Sequence, residues 1–121
     1  MNLSHMKKIR LPQEQDGHLI WRTLEGEWLA GIDSGRGEPA LGSLVYGHDA
    51  GMNGQWFVIR AASGKLVVYH RVSNTTSPGA IAIYDSFEAM EPHVPAQVFE
   101  EAAIRAGLRK PKDYPEAPLD V

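Results

Sequence analysis

The chain has 121 residues, a formal net charge of −3, an apolar fraction of 43% and a charged fraction of 22%. This length is typical of one domain with one core, and the composition excludes a disordered protein. It contains no cysteine, which excludes disulfides, thiolate metal sites and cysteine nucleophiles. The negative net charge argues against a surface that binds polyanions generically.

The sequence carries no signal for a membrane or for export. No apolar run approaches the roughly 20 residues that a membrane-spanning helix needs, and no secretory apolar segment follows the N-terminal lysines. We therefore expect a cytoplasmic protein with no membrane partner. Residues 1–5 resemble a cloning remnant, because a second methionine, Met6, follows a Ser-His pair. We expect residues 6–121 to form a single α+β domain in which residues 108–121 are an extended tail.

The N-terminal part of the chain predicts a hairpin that turns at Glu25-Gly26. This dipeptide joins two β-rich runs, residues 18–24 and 27–33, and a two-residue link with glycine is typical of a hairpin. Asp16-Gly17 is a further turn signal, which follows a short edge strand. Pairing outward from Glu25-Gly26 predicts one apolar core face, made of Leu19, Trp21, Trp28, Ala30 and Ile32.

The strongest local signal is a second hairpin, in which residues 55–62 and 65–72 flank Ser63-Gly64. A two-residue link at that position places Phe57, Ile59 and Val68 on one apolar face. A loop of odd length would exchange the faces of one strand. With the two-residue link the opposite face is aromatic and basic, and it contains Trp56, Arg60, Tyr69 and Arg71, with Tyr84 from the following strand.

The C-terminal half predicts one more strand and the main helix. Residues 80–84 alternate as a strand, with Ile81 and Ile83 directed inward. Asp85 then caps a short helical turn, since Glu88 three residues later completes a capping box. The main helix covers residues 95–106, because proline is favoured at the first helical position and glycine follows the last turn. Its core stripe is Pro95, Val98, Phe99, Ala102 and Ala106.

These elements predict an α+β fold: a mainly antiparallel sheet of about five to six strands, built from two hairpins and packed with one C-terminal helix. The sixth strand is predicted at residues 41–46, and a glycine-rich loop at residues 47–54 follows it.

No residue pattern predicts a metal site, a cofactor or a catalytic residue. Apart from His5, no two histidines share a spacing that brings them together on one helix or strand. His48-Asp49 in the glycine-rich loop suits a general base or a small ligand, although a polar loop dipeptide is more often only solvated. Residues 34–37 (S-G-R-G) resemble a phosphate-cradling loop but lack its Gly-Lys-Ser/Thr ending.

The aromatic and basic face of the second hairpin is the main functional hypothesis. Trp, Tyr and Arg are enriched in protein-binding hot spots, so this face predicts a non-enzymatic binding module that acts as a homodimer or on a protein partner. The same residue types stack bases and contact phosphates. Single-stranded nucleic-acid binding is therefore an alternative, which the negative net charge ranks lower. Small-molecule binding or hydrolysis at His48 and Asp49 is a further alternative.

From Gln55 onward the chain resembles the EXLDI family of small bacterial proteins, whose function is unsettled. The resemblance is carried by residues 56–71, by residues 84–91 (Y-D-S-F-E-A-M-E), by the helix start at residues 94–102 and by the closing residues 116–121 (E-A-P-L-D-V). That close departs from the family motif by one extra residue and by valine in place of isoleucine. The resemblance implies no catalytic residue, and it implies that Leu119 and Val121 dock against the sheet or the helix.

Overall fold

The computed structural model describes residues 6–40, 54–71, 78–110 and 115–120. Five strands form one antiparallel sheet in the order β1-β2-β3-β4-β5, with bounds β1 Lys7–Gln15, β2 His18–Ala30, β3 Gln55–Ala61, β4 Leu66–Arg71 and β5 Ala80–Tyr84. Helix α1 (Phe87–Met90), a 3₁₀ turn (Glu91–His93) and helix α2 (Ala96–Arg105) follow. The predicted α+β class, with an antiparallel sheet and a C-terminal helix, is confirmed. The strand predicted at residues 41–46 lies outside the described residues.

The first hairpin turns at Asp16-Gly17, and the hairpin predicted at Glu25-Gly26 is wrong. Asp16 and Gly17 have φ of 53° and 79°, as a two-residue type I′ turn requires, and Gln15 pairs with His18 across them. Strand β2 runs straight through Gly26, which pairs with β1 on one side and with β3 on the other. Glycine is needed there for space, because a Cβ would lie 2.8 Å from the Arg60 carbonyl oxygen.

The long β2 strand changes which of its side chains are buried. Leu19 and Trp21 were predicted in the core but are 61% and 41% exposed, and Ile32 is 45% exposed. They lie outside the core because β2 pairs with β1, instead of folding back on itself, and a bulge between Trp28 and Ala30 shifts its register. Trp21 is covered instead by a guanidinium, that of Arg10, 4.2 Å from its ring centroid.

The second hairpin has a three-residue loop, so its predicted register is wrong by one residue. The Ala61 N–H donates to the Lys65 carbonyl (2.9 Å), and the Gly64 N–H donates to the Ala61 carbonyl (2.8 Å). Gly64 has φ of +92°, as a type I turn followed by a left-handed residue requires. Trp56 therefore pairs with His70, and Phe57 with Tyr69. Since side chains alternate, this one-residue shift exchanges the faces of one strand relative to the other.

The sheet is curled so that both faces of β3 and β4 are buried. The helix-side core joins one face to α2, through Val58, Leu66 and Val68 with Val98, Phe99, Ala102 and Ala103. The inner core joins the opposite face to β1, through Phe57, Ile59, Val67 and Tyr69 with Ile9 and Leu11. Strands β3 and β4 are thus near-continuous apolar runs because each is covered on both sides.

The two helices lie where the sequence predicts them, but the residue that caps α1 differs from the predicted one. Ser86, and not the predicted Asp85, caps α1, since its Oγ accepts from the Ala89 N–H at 3.1 Å. Helix α2 lies within the predicted residues 95–106. Pro95, Val98, Phe99 and Ala102 of the predicted stripe are buried and Ala106 is half-buried, while Ala103, which was not in the predicted stripe, is buried as well. The helix packs on Leu29 and Ala30 of β2 through the helix-side core, and two hydrogen bonds to the next residue add to this contact. The Gly31 N–H donates to Glu101 Oε2 (2.9 Å), and the Gly31 carbonyl accepts from Arg105 (3.2 Å).

The described part of the C-terminal tail does not dock. Residues 115–120 are exposed, and the Leu119 side chain is 82% exposed. The docking of Leu119 that the family resemblance implied is therefore wrong, and Val121 lies outside the described residues.

One buried hydroxyl, that of Tyr69, fixes the curl of the sheet. It donates to the Pro12 carbonyl of β1 (2.8 Å) and accepts from the Gly79 N–H at the start of β5 (2.8 Å). Tyr69 is fully buried. Burial raises the pKa of this phenol above its usual 10.0, against the lowering effects of the Gly79 N–H and the Arg71 charge.

We predict that Tyr69→Phe lowers the free energy of unfolding by about 1–3 kcal/mol, because it leaves two buried backbone groups without their partner. Urea titration followed by tryptophan fluorescence measures the change. Tyr84→Phe is the control, since its hydroxyl bonds to nothing in the described chain and its ring also packs on the core. Equal losses in the two variants would contradict the prediction.

Because its pKa is raised, the contribution of the Tyr69 hydroxyl to stability depends on pH. The phenol titrates near 10.0 in the unfolded chain and above that value in the folded protein. The contribution of Tyr69 to the free energy of unfolding is therefore fully present below pH 10 and is lost as pH rises through the folded pKa. We expect the wild-type protein to lose more stability above pH 10 than Tyr69→Phe loses. Parallel pH profiles of the urea midpoint for the two proteins check this.

Candidate functional site

The five residues predicted to share an aromatic and basic face lie on two opposite faces. Trp56, Arg60 and Tyr84 are on the helix side of the sheet, whereas Tyr69 and Arg71 are on the inner side. The cause is the three-residue loop of the second hairpin. Sequence reasoning identified the dependence on loop length but took the two-residue alternative.

Each of these five side chains already has a partner within the fold. Arg60 bonds to Glu27 through Nε (2.8 Å) and through Nη2, and Arg71 bonds to Gln55 Oε1 (3.1 Å). The remaining aromatic rings also have neighbours: Trp56 stacks on His70 at 3.7 Å, Tyr84 stacks on His93 at 5.2 Å, and Tyr69 is buried. The surface on which the protein-binding and nucleic-acid hypotheses rested is therefore not assembled. His48 and Asp49 lie outside the described residues.

The loop at residues 34–37, which resembles a phosphate cradle, binds an anion that belongs to the chain itself. The N–H groups of Gly35 and Gly37 both donate to Asp33 Oδ1 at 2.9 Å, and Lys7 Nζ donates to Asp33 Oδ2 at 3.2 Å. Desolvation acts to raise the pKa of Asp33, but these hydrogen bonds and the Lys7 charge together lower it. The loop is a clamp on β1, because the Arg10 N–H donates to the Gly37 carbonyl at 2.8 Å.

A cleft of about 280 Å³ opens between β1–β2 and β5 on the inner side of the sheet. Its floor and walls are apolar and come from four strands: Leu11, Leu24, Val67, Ile81 and Ile83. Its polar lining residues are Gln13, Arg22 and Thr23, and the Arg22 guanidinium donates to Gln13 Oε1 at 3.1 Å. We define these eight residues as the cleft.

Sequence reasoning missed the cleft because it depends on the first turn. Once the hairpin turns at Asp16-Gly17, Ile20, Arg22 and Leu24 alternate onto the inner face opposite Gln13, Leu11 and Ile9. The sequence does contain a signal for the cleft, since Arg22 interrupts an alternating row that is otherwise apolar, between Ile20 and Leu24. The hairpin predicted at Glu25-Gly26 put Leu19 and Trp21 on the core face, and alternation then leaves Arg22 on the opposite face.

The outer edge of β5 is the second exposed feature. No hydrogen bond from the described chain reaches this edge, since the only bonds to Ala80–Tyr84 come from β4. Ile83, which was predicted to point inward to the core, is 62% exposed, and Ile81 is half-buried. Both side chains line the cleft instead of filling a closed core.

Clustered metal ligands and membrane-spanning helices are both absent from residues 6–40, 54–71, 78–110 and 115–120. No three His, Asp or Glu side chains there come together as metal ligands. No helix in that part of the chain has the length and apolar character to cross a membrane.

No family model, no curated protein and no solved structure matches this chain. The resemblance to the EXLDI family stays a prediction.

We predict that Asp33→Asn destabilises the protein by about 1–2 kcal/mol at neutral pH, because it removes the charge from three hydrogen bonds. The unfolded carboxyl titrates near 3.8 and the folded one below it, so this contribution is present above pH 3.8 and is lost as pH falls through the folded pKa. Urea unfolding at pH 7 and at acid pH measures both effects. Asp85→Asn is the control, since its carboxylate is 87% exposed, and its change should be within error.

Proposed function

We propose that this protein is a small interaction module that self-associates as a homodimer through the outer edge of β5. The observation that carries the proposal is an edge strand that no described residue covers through backbone hydrogen bonds. An exposed edge offers unpaired N–H and C=O groups to another strand, and proteins that stay monomeric block such edges with charge, proline, bulges or a covering segment. Residues 80–84 (A-I-A-I-Y) contain no charged residue, glycine or proline.

The other edge of the same sheet supports this interpretation by contrast. Strand β1 (K-K-I-R-L-P-Q-E-Q) carries four charged residues and a proline. Its backbone is also covered in part, because the Arg10 N–H donates to the Gly37 carbonyl of the clamped loop. The β1 edge is therefore blocked by charge, by proline and by a bound loop, and none of these is found at the outer edge of β5 within the described residues.

The sequence of β5 is compatible with antiparallel pairing to itself. A two-fold axis at Ala82 sets Ile81 opposite Ile83 of the partner and uses all five residues of the strand. Both isoleucines lie on the inner face, so the pairing covers Ile83, which is 62% exposed. Covering it contributes on the order of 1–2 kcal/mol for each copy. An axis at Ile83 would instead set the Asp85 charge opposite Ile81.

The first test is the mass in solution, measured by analytical ultracentrifugation over a range of protein concentrations. We expect a monomer–dimer equilibrium that Ile83→Lys shifts to monomer, because a charge at that position opposes edge pairing. Leu19→Lys is the matched control, since Leu19 is 61% exposed on β2, away from β5, and should leave the dimer intact. A wild-type monomer at all concentrations, or equal effects of both variants, would reject the proposal.

The second test locates the axis with a single engineered thiol, which is possible because the chain has no cysteine. Antiparallel partners have Cα atoms about 4.5–5.5 Å apart, within the range that a disulfide spans. Ala82→Cys should therefore cross-link two copies under mild oxidation. Ala62→Cys, in the exposed loop of the second hairpin, should stay monomeric on a non-reducing gel.

A further inference from the structure

We propose that the cleft binds a small ligand with an apolar body and one carboxylate, which the Arg22 guanidinium holds. All the residues involved come from one chain, so this site does not rest on the proposed homodimer.

The apolar part of the cleft determines the body of the ligand. Leu24, Val67 and Ile81 are its half-buried or buried walls, and Ile83 continues them to solvent at 62% exposure. A concave apolar surface of this kind is typical of small-molecule sites, where a few polar groups fix orientation. At about 280 Å³ the cleft is at the small end of such sites, which favours a short alkyl chain or a single ring.

The charge of the cleft determines the head group. Arg22 is its only charged lining residue among those described, and it projects from the inner face of β2 beside Leu24. The described residues place no carboxylate within ion-pair distance of Arg22, whereas Arg10, Arg60, Arg105 and Arg109 each have one.

The guanidinium keeps most of its hydrogen-bonding capacity for a ligand. It carries five N–H donors, and the bond to Gln13 Oε1 (3.1 Å) uses one of them while holding the side chain against β1. The planar fork of an arginine suits the two oxygens of a carboxylate. A phosphate ester presents more charge than one guanidinium neutralises, so a carboxylate fits this site better.

The direct test is a titration of the ¹⁵N-labelled protein with octanoate at low ionic strength. We expect saturable chemical-shift changes at the backbone amides of Leu24, Val67 and Ile81. Octanol has the same chain without the charge, and its affinity should be lower by about tenfold or more, since a charge-assisted bond is lost. Octylamine should not bind, and octyl phosphate should bind no more tightly than octanoate.

Two Arg22 variants separate recognition by charge from simple apolar partition. Arg22→Gln should weaken octanoate binding about tenfold or more while leaving octanol binding unchanged. Arg22→Glu should exchange the preference, so that octylamine binds and octanoate does not. Arg36→Gln is the matched control, because Arg36 is an exposed arginine in the residue 33–39 loop, outside the cleft.

Three results would overturn the proposal. They are an absence of saturable octanoate binding, shift changes located away from the cleft, and equal affinity of the wild-type protein and Arg22→Gln. The last would assign Arg22 the alternative role of an inward-pointing charge that opposes aggregation of the sheet. Because Arg22 is exposed, its substitution is expected to leave the fold intact, and the unchanged octanol titration verifies this within the same experiment.

Discussion

The Tyr69 hydroxyl joins parts of the sheet that its strand order keeps apart. Tyr69 lies on β4, yet it donates to Pro12 on β1 and accepts from Gly79 at the entry to β5. The two edge strands of a flat five-stranded sheet would be about 19 Å apart at a spacing of 4.7–4.9 Å, so a single side chain can reach both regions only if the sheet curls. Gly79 is part of the same constraint, because a Cβ there would lie 2.7 Å from the Tyr69 ring. The inner core is the consequence of this closure, since the β1–β2 hairpin brings Ile9 and Leu11 over β3 and β4.

The closure is local, and this leaves both candidate surfaces on β5. Beside the Tyr69 contact the sheet edges do not pair in the described chain, and the gap between them is the cleft. Ile81 and Ile83 line this gap and also stand next to the open edge. The other edge is closed by different means, since Asp33 clamps a loop whose Gly37 carbonyl bonds to β1. The curled sheet thus has one edge that is blocked and one edge that no described residue covers, and the latter belongs to β5, the strand that borders the cleft.

Elements whose signals are local were predictable from the sequence, and long-range pairings were not. Helix α2 has proline before its first turn and Gly107 after its last, and its stripe repeats every three to four residues, so its place and buried face follow from short-range geometry. The strand at residues 80–84 was predictable for the same reason. In contrast, Gly26 and Gly64 look alike in a single sequence. Gly64 supplies a positive φ in a turn, whereas Gly26 supplies space where β3 passes close to β2. Only the neighbouring strand distinguishes the two roles.

The candidate site was the least predictable part, because it depends on alternation counted from those turns. One extra loop residue in the second hairpin put Trp56 and Tyr69 on opposite faces, so the residues predicted to form one surface are divided between two. The cleft depends in the same way on which residues form the turn of the first hairpin, because the turn sets the face on which each side chain lies. With the turn at Asp16-Gly17, Arg22 falls on the inner face opposite Leu11, in a row where only apolar residues would be needed for packing. A charged group on such a face must be solvated, paired with an opposite charge, or bound to a ligand. Arg22 is exposed and has no acidic partner among the described residues. Its guanidinium can therefore stay solvated in the free protein, and the proposed carboxylate ligand would replace part of that solvation.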